Sequence, residues 1–159
     1  MRILIVYDSF YGNTKLVADA IGDSFDEEEV EVLNVIDVDI KSLKKIDLLI
    51  VGSPTRQFKP TDYIEDFLNN IPSNYLNGIK VMAFDTRLSK VEMMSGILKL
   101  FAKKFEYAAE PIGNKLVSKG GKLICNPEGF FVKSNKGPLH EGEIERASAW
   151  AENAVDDSI

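Results

Sequence analysis

Arg2-Ile3-Leu4-Ile5-Val6-Tyr7-Asp8-Ser9-Phe10-Tyr11-Gly12-Asn13-Thr14-Lys15-Leu16-Val17 changes its hydrophobic period partway along, and that change fixes the kind of fold. Residues 2–7 form an almost unbroken β-type apolar run, the pattern of a strand buried on both faces. Beyond the polar stretch, Leu16, Val17, Ala20 and Ile21 share one face of a helix. Ser9 to Thr14 is therefore a strand-to-helix loop. A loop of that kind directs backbone N–H groups and the positive end of a helix dipole at whatever lies above it.

The loop's composition narrows what it could hold. A nucleoside-triphosphate loop needs Gly-x-x-x-x-Gly-Lys-Ser/Thr. Here the order is Gly12-Asn13-Thr14-Lys15, with the lysine after the hydroxyl and no second glycine. The dinucleotide fingerprint G-x-G-x-x-G is absent as well. What remains is a ring of neutral donors suited to one phosphomonoester, with Gly12 free to adopt positive φ or approach a ligand closely. Asn13 or Thr14 would serve equally as an ordinary helix cap that binds nothing.

The strand and helix patterns then repeat along the chain. Val30, Val32, Leu33 and Val35 read as a second strand, and Asp39 to Lys45 as a short helix or turn. Residues 47–52 form a third apolar strand, followed by Ser53-Pro54-Thr55-Arg56-Gln57-Phe58-Lys59-Pro60, whose prolines exclude a continuous helix. A helix follows from Pro60 or Thr61, with Tyr63, Ile64, Phe67, Leu68 and Ile71 on one face. Residues 79–84 are a fourth strand, leading into the loop Asp85-Thr86-Arg87-Leu88-Ser89. Met94, Ile97, Leu98, Phe101 and Phe105 mark another helix, which Pro111 either kinks or follows with a further one ending at Gly120-Gly121. A fifth strand begins at Leu123-Ile124-Cys125 and resumes at Phe130-Phe131-Val132, broken by Asn126-Pro127-Glu128-Gly129. The last helix turns Ile144, Ala147, Ala151 and Ala154 inward; Gly22 is expected to end the first helix, and residues from Asp156 onward are expected to fray.

Strand and helix alternate five times, which predicts an α/β fold: a doubly wound five-stranded parallel sheet with helices on both faces. In such sheets ligands bind outside the carboxyl ends of the strands, where the strand order switches. Three polar loops, 9–14, 53–60 and 85–89, lie at that edge.

The 159 residues are expected to form a single domain, 1–159, and the apolar fraction of 45% suits a soluble globule. No apolar run is long enough to cross a membrane, and Asp8 interrupts the first one too early for a signal peptide, so a cytoplasmic location is expected. The net charge of −6 argues against nucleic acid and suits encounter with a basic protein partner, or simply solubility. Cys125 is the only cysteine, which excludes an internal disulfide and a multi-cysteine metal site. His140 reads as a cap or surface residue.

Strand-Ser9-x-x-Gly12-Asn13-Thr14-helix, Gly52-Ser53-Pro54-Thr55 after strand three, and the polar loop after strand four resemble the flavodoxin family over essentially the whole chain. The resemblance implies the strand order 2-1-3-4-5 and FMN as cofactor. It would make Ser9, Tyr11, Gly12, Asn13 and Thr14 the phosphate site. Pro54, Thr55, Arg56, Gln57 and Phe58 would line one side of the isoalloxazine, and Asp85, Thr86, Arg87 and Leu88 would contact it from the other. Two departures stand out. Phe58 could flank the ring, but residues 85–89 contain no aromatic, which leaves one face open or covered by Leu88. Residues 55–59 also contain no glycine, so a positive φ at Arg56 or Gln57 would cost about 1 kcal/mol or more and leave the one-electron-reduced flavin weakly stabilised.

By this resemblance the chain is an electron carrier exchanging electrons with redox partner proteins. The alternative is an FMN-dependent NAD(P)H:quinone or flavin oxidoreductase, with NAD(P)H or a quinone as small partner and Arg56 or Arg87 on a nicotinamide nucleotide's phosphate. No separate nucleotide signature and no acid–base residue supports it. A phosphoacceptor domain would need an Asp where the third strand ends Gly52-Ser53-Pro54, and a low-molecular-weight phosphatase a cysteine in the first loop; both are missing.

Overall fold

The computed structural model describes residues 1–89 and 107–159. Strand β1 (Arg2–Tyr7) lies inside the sheet, between β2 (Glu29–Asn34) and β3 (Leu48–Pro54). Beyond β3 come β4 (Lys80–Arg87) and then two short strands, β5 (Lys122–Leu123) and β6 (Glu128–Phe131), which both pair with β4. The order is β2-β1-β3-β4-β5 and every pairing is parallel, so the doubly wound architecture expected from the alternation is the one observed.

Apolar residues at successive positions give the sheet two cores. Leu4 and Val6 of β1, Leu49 and Val51 of β3, and Val81 and Ala83 of β4 face one cluster. Their neighbours Ile3, Ile5, Leu48, Ile50, Met82 and Phe84 face the other. Side chains alternate across a strand, so only a continuous apolar run can supply both faces. Helices α2 (Asp62–Asn70) and α3 (Ala109–Ser118) cover the first face, while α1 (Asn13–Asp23) and α4 (Glu143–Asp157) cover the second. Trp150 of α4 meets Phe84 and Phe130 edge-to-face, with ring centroids 6.5 and 5.8 Å away, and so acts as packing.

Several local expectations are corrected. Leu16 is 54% exposed and Ala18 is buried in its place, because the buried face of α1 follows Thr14, Val17, Ala18 and Ile21. Gly22 lies inside α1 and Ser24 ends it; a Cβ on Gly22 would come within 2.8 Å of Val32 Cγ2, so its smallness lets the helix sit close on β2. β4 continues through Asp85, Thr86 and Arg87, since β6 pairs with those residues. Ile124 and Cys125 fall after β5, and Val132 falls after β6, though the Val132 N–H still donates to Arg87 O at 2.9 Å. Asp156 and Asp157 remain helical and Lys80 Nζ donates to Ser158 Oγ at 3.0 Å, so the end of α4 is held. Pro111 sits in the first turn of α3, where a missing N–H is harmless. The helix expected over Met94 to Phe105 lies outside the described residues. Among the described residues, no helix is long and apolar enough to cross a membrane.

Candidate functional site

The carboxyl ends of β1, β3 and β4 open onto one cavity of about 490 Å³. The connection after β1 forms its first wall. Gly12 precedes α1 at φ 92° with no side-chain cap on the helix, and a Cβ there would meet nothing within 4 Å. The first-turn N–H groups of α1 lack partners within the helix. The Gly12 N–H donates to Ser9 Oγ at 3.0 Å, and the Ser9 N–H donates to Asp8 Oδ1 at 2.9 Å. The hydroxyls of Thr14 and Thr86 share a hydrogen bond of 2.8 Å, tying the loop to β4. Asp8 is 7% exposed, and its Oδ2 is buried without a hydrogen-bond partner among the described residues.

The second wall is the connection after β3. Ser53 Oγ accepts the Thr61 N–H at 3.0 Å and donates to Pro54 O at 2.9 Å, which closes the loop at its base. The Thr55 N–H donates to Thr86 O at 2.9 Å, and Thr55 Oγ1 accepts the Ala108 N–H at 3.0 Å. Arg56 and Lys59 exchange two backbone hydrogen bonds, of 2.9 and 3.1 Å, around Gln57 at φ 49° and Phe58 at φ 65°. That is a two-residue turn with both central residues left-handed, the geometry that usually calls for Asn-Gly. The absence of a glycine weighs against positive φ at Arg56 or Gln57, yet the turn adopts it at Gln57 and Phe58, at a cost of about 1–2 kcal/mol each. The Arg56 guanidinium lies 4.6 Å from the centroid of the Phe10 ring and so bridges the first two walls.

The third wall is the end of β4. Asp85 is fully buried and accepts from Arg87 Nε at 2.6 Å, from Arg87 Nη2 at 2.7 Å and from the Ala109 N–H at 2.8 Å. The Arg87 guanidinium stacks 3.8 Å over the Tyr107 ring, on the same floor where Gly129 leaves room: a Cβ on Gly129 would sit 2.0 Å from Arg87 Nε. Burial pushes the Asp85 carboxyl up and Arg87 pulls against it. Burial likewise acts against the Arg87 charge, but Asp85 more than offsets this and holds the guanidinium protonated. The Tyr107 hydroxyl donates to Leu88 O at 3.3 Å, fixing the loop after the strand.

Of the residues singled out from sequence, Ser9, Tyr11, Asn13 and Thr14, then Pro54 to Phe58, then Thr86, Arg87 and Leu88 line this cavity. Gly12 shapes the loop without lining it, and Asp85 lies behind Arg87 and positions it. Sequence reasoning missed Phe10, Tyr107, Val132 and Asn135. The last two follow the carboxyl end of β6, so extending the strand-end rule to the fifth strand would have found them. Tyr107 adds an aromatic to the lining from beyond residues 85–89, beneath the Arg87 guanidinium. Cys125 is half-buried outside this cavity; burial and Glu128 push its thiol up to about 11, which leaves little thiolate for redox work.

A family model described as flavodoxin domain matches residues 4–110. A flavodoxin of Maridesulfovibrio salexigens is 30% identical over 126 residues, covering 75% of this chain and 86% of that one. A probable flavodoxin 1 of Bacillus subtilis is 31% identical over 86 residues, 52% of this chain and 54% of that one. Among solved structures, oxidised flavodoxin 2 of Bacillus cereus superposes with a TM-score of 0.77 at 24% identity, covering 98% of this chain and 99% of that one. A flavodoxin from the domain Archaea gives 0.75 at 23% identity, with both chains fully covered.

Proposed function

The chain belongs to the flavodoxin family of FMN-binding electron carriers, and from that premise we propose that its FMN sits in the cavity at the carboxyl edge of the sheet. The observation that carries this placement is the convergence of the uncapped start of α1 with the Thr55–Phe58 and Thr86–Leu88 walls around one space. The donor set fits a monophosphate: first-turn N–H groups, the Gly12 apex with nothing above it, and the Ser9, Asn13 and Thr14 side chains.

FMN supplies the redox chemistry when bound, accepting electrons from one partner and passing them to another. The protein binds, orients and shields it. The α1 terminus would hold the phosphate. Pro54 to Phe58 would line one side of the isoalloxazine, and Thr86, Arg87 and Leu88 the other, with Tyr107 beneath Arg87. The turn at Gln57 and Phe58 is held by two hydrogen bonds and by the Arg56–Phe10 stack, so this wall is preformed. Electrons would pass through the rim, where Phe10 and Tyr11 are 55% and 50% exposed. The partners are redox proteins, and the net charge of −6 favours encounter with basic faces on them.

The test is the visible spectrum of the protein reconstituted with FMN, followed anaerobically. Bleaching by dithionite or a reduced protein donor, but not by NAD(P)H, is expected of a carrier. Rapid bleaching by NAD(P)H with turnover of a quinone would establish the oxidoreductase instead.

A further inference from the structure

We propose that the turn between β6 and α4, residues 132–139, is a fourth wall of the cofactor site, and that Lys136 on it pairs with the FMN phosphate. The inference rests on the placement of FMN given above. Val132 and Asn135 line the same cavity as the loop after β1. The turn is built as a small closed unit: Val132 and Leu139 form a bridge, the Lys133 N–H donates to Pro138 O at 2.9 Å, and Ser134 Oγ donates to Gly137 O at 2.6 Å. It is also seated directly on the phosphate loop. A Cβ on Gly137 would lie 2.5 Å from Asn13 Oδ1, and Gly137 has φ 98°, so only glycine allows this approach.

That seating carries Lys136 over the loop, with Nζ 5.9 Å from the centroid of the Tyr11 ring. The loop's own donors are neutral, and a phosphate dianion gains from a cation in reach. Lys15, the lysine at the start of α1, is turned to Asp19 at 2.6 Å. Lys136 is exposed and makes no ion pair among the described residues, so its ammonium can reach an anion held above Gly12 without breaking a contact that holds the fold.

The test compares FMN with riboflavin, which lacks the phosphate, by quenching of flavin fluorescence at low and high ionic strength. Lys136→Gln should weaken FMN binding roughly fivefold at low salt, the size of one exposed pair with a doubly charged group, and leave riboflavin unchanged. Lys136→Arg should restore FMN affinity, and the salt dependence of FMN binding should be shallower in Lys136→Gln than in the native chain. An unchanged FMN affinity, or equal losses for FMN and riboflavin, would overturn the role of Lys136 while leaving the site intact. A native chain that binds FMN no better than riboflavin would overturn the placement of the phosphate itself.

Discussion

Replacing Arg87 by Met turns a buried ion pair into a lone buried carboxyl, and the expected signature is a steeper loss of stability as pH rises. In the native chain Asp85 has no exposed surface, and its oxygens accept two hydrogen bonds from Arg87 and one from Ala109. Burial already pushes this carboxyl up, and Arg87 is the largest influence pulling it down. Met keeps most of the apolar stem but removes that pull, and a lone buried carboxylate takes up a proton rather than remain charged. The folded variant then holds a proton at pH values where the unfolded chain has already released it. The slope of unfolding free energy with pH follows protons bound unfolded minus protons bound folded, so it is negative. Stability should fall by about 1.4 kcal/mol per pH unit above ~pH 4, until the carboxyl's raised folded value is reached. The buried carboxylate left behind at higher pH is the uncompensated half of a broken pair, for which a loss of ~3–5 kcal/mol is expected. Asp85→Asn leaves the guanidinium with the half-exposed Glu110 carboxylate, 3.9 Å away, and should cost less, ~2–3 kcal/mol, while the double variant should cost at least ~1 kcal/mol less than the sum. Urea unfolding followed by Trp150 fluorescence across the pH range reads both effects. A native-like slope in Arg87→Met, or single-variant costs that add within ~0.5 kcal/mol, would refute the reasoning.

Glu143 is expected to give the opposite sign. Burial acts to raise its pKa, but hydrogen bonds from Arg146 and the Phe131 N–H outweigh that and hold it below the usual 4.5. Its contribution is therefore fully present above that value and lost as pH falls through the lower folded one, so Glu143→Gln should flatten the acid limb of a plot of Tm against pH. Gln57→Asn, at φ 49° in the turn before Lys59, should stabilise the chain by about 1 kcal/mol, read as a higher Tm; no gain would contradict the left-handed geometry. Asp8→Asn keeps the acceptor for the Ser9 N–H but removes a buried charge beside the phosphate loop. It should tighten FMN binding roughly fivefold in a fluorescence titration, and weaker binding would argue that the carboxylate has a positive role.

The fold was readable because β1, β3 and β4 are apolar at consecutive positions, and only a sheet covered on both faces requires that. The three strand-end loops followed from the parallel topology, and the short polar stretch at Ser9–Thr14 marked itself by its neutral donors. What escaped the sequence depends on contacts between distant segments. Leu16 looks like a core residue, but the phase of α1 is set by the small Gly22 fitting against Val32. Asp85 looks like a loop carboxylate, yet pairing with β6 draws it into the sheet and behind Arg87. Gln57 and Phe58 carry no local sign of positive φ, because the hydrogen bonds between Arg56 and Lys59 impose it. Asn135 and Lys136 come near the site only through the close seating of Gly137 on Asn13.

Amide chemical shifts of the isotopically labelled protein, measured on adding FMN and separately on adding riboflavin, test the phosphate's placement most directly. Subtracting the two maps isolates what the phosphate touches. The residual shifts are expected to centre on Gly12, Asn13 and Thr14 at the start of α1. Residual shifts centred elsewhere, with these amides unmoved, would contradict the account.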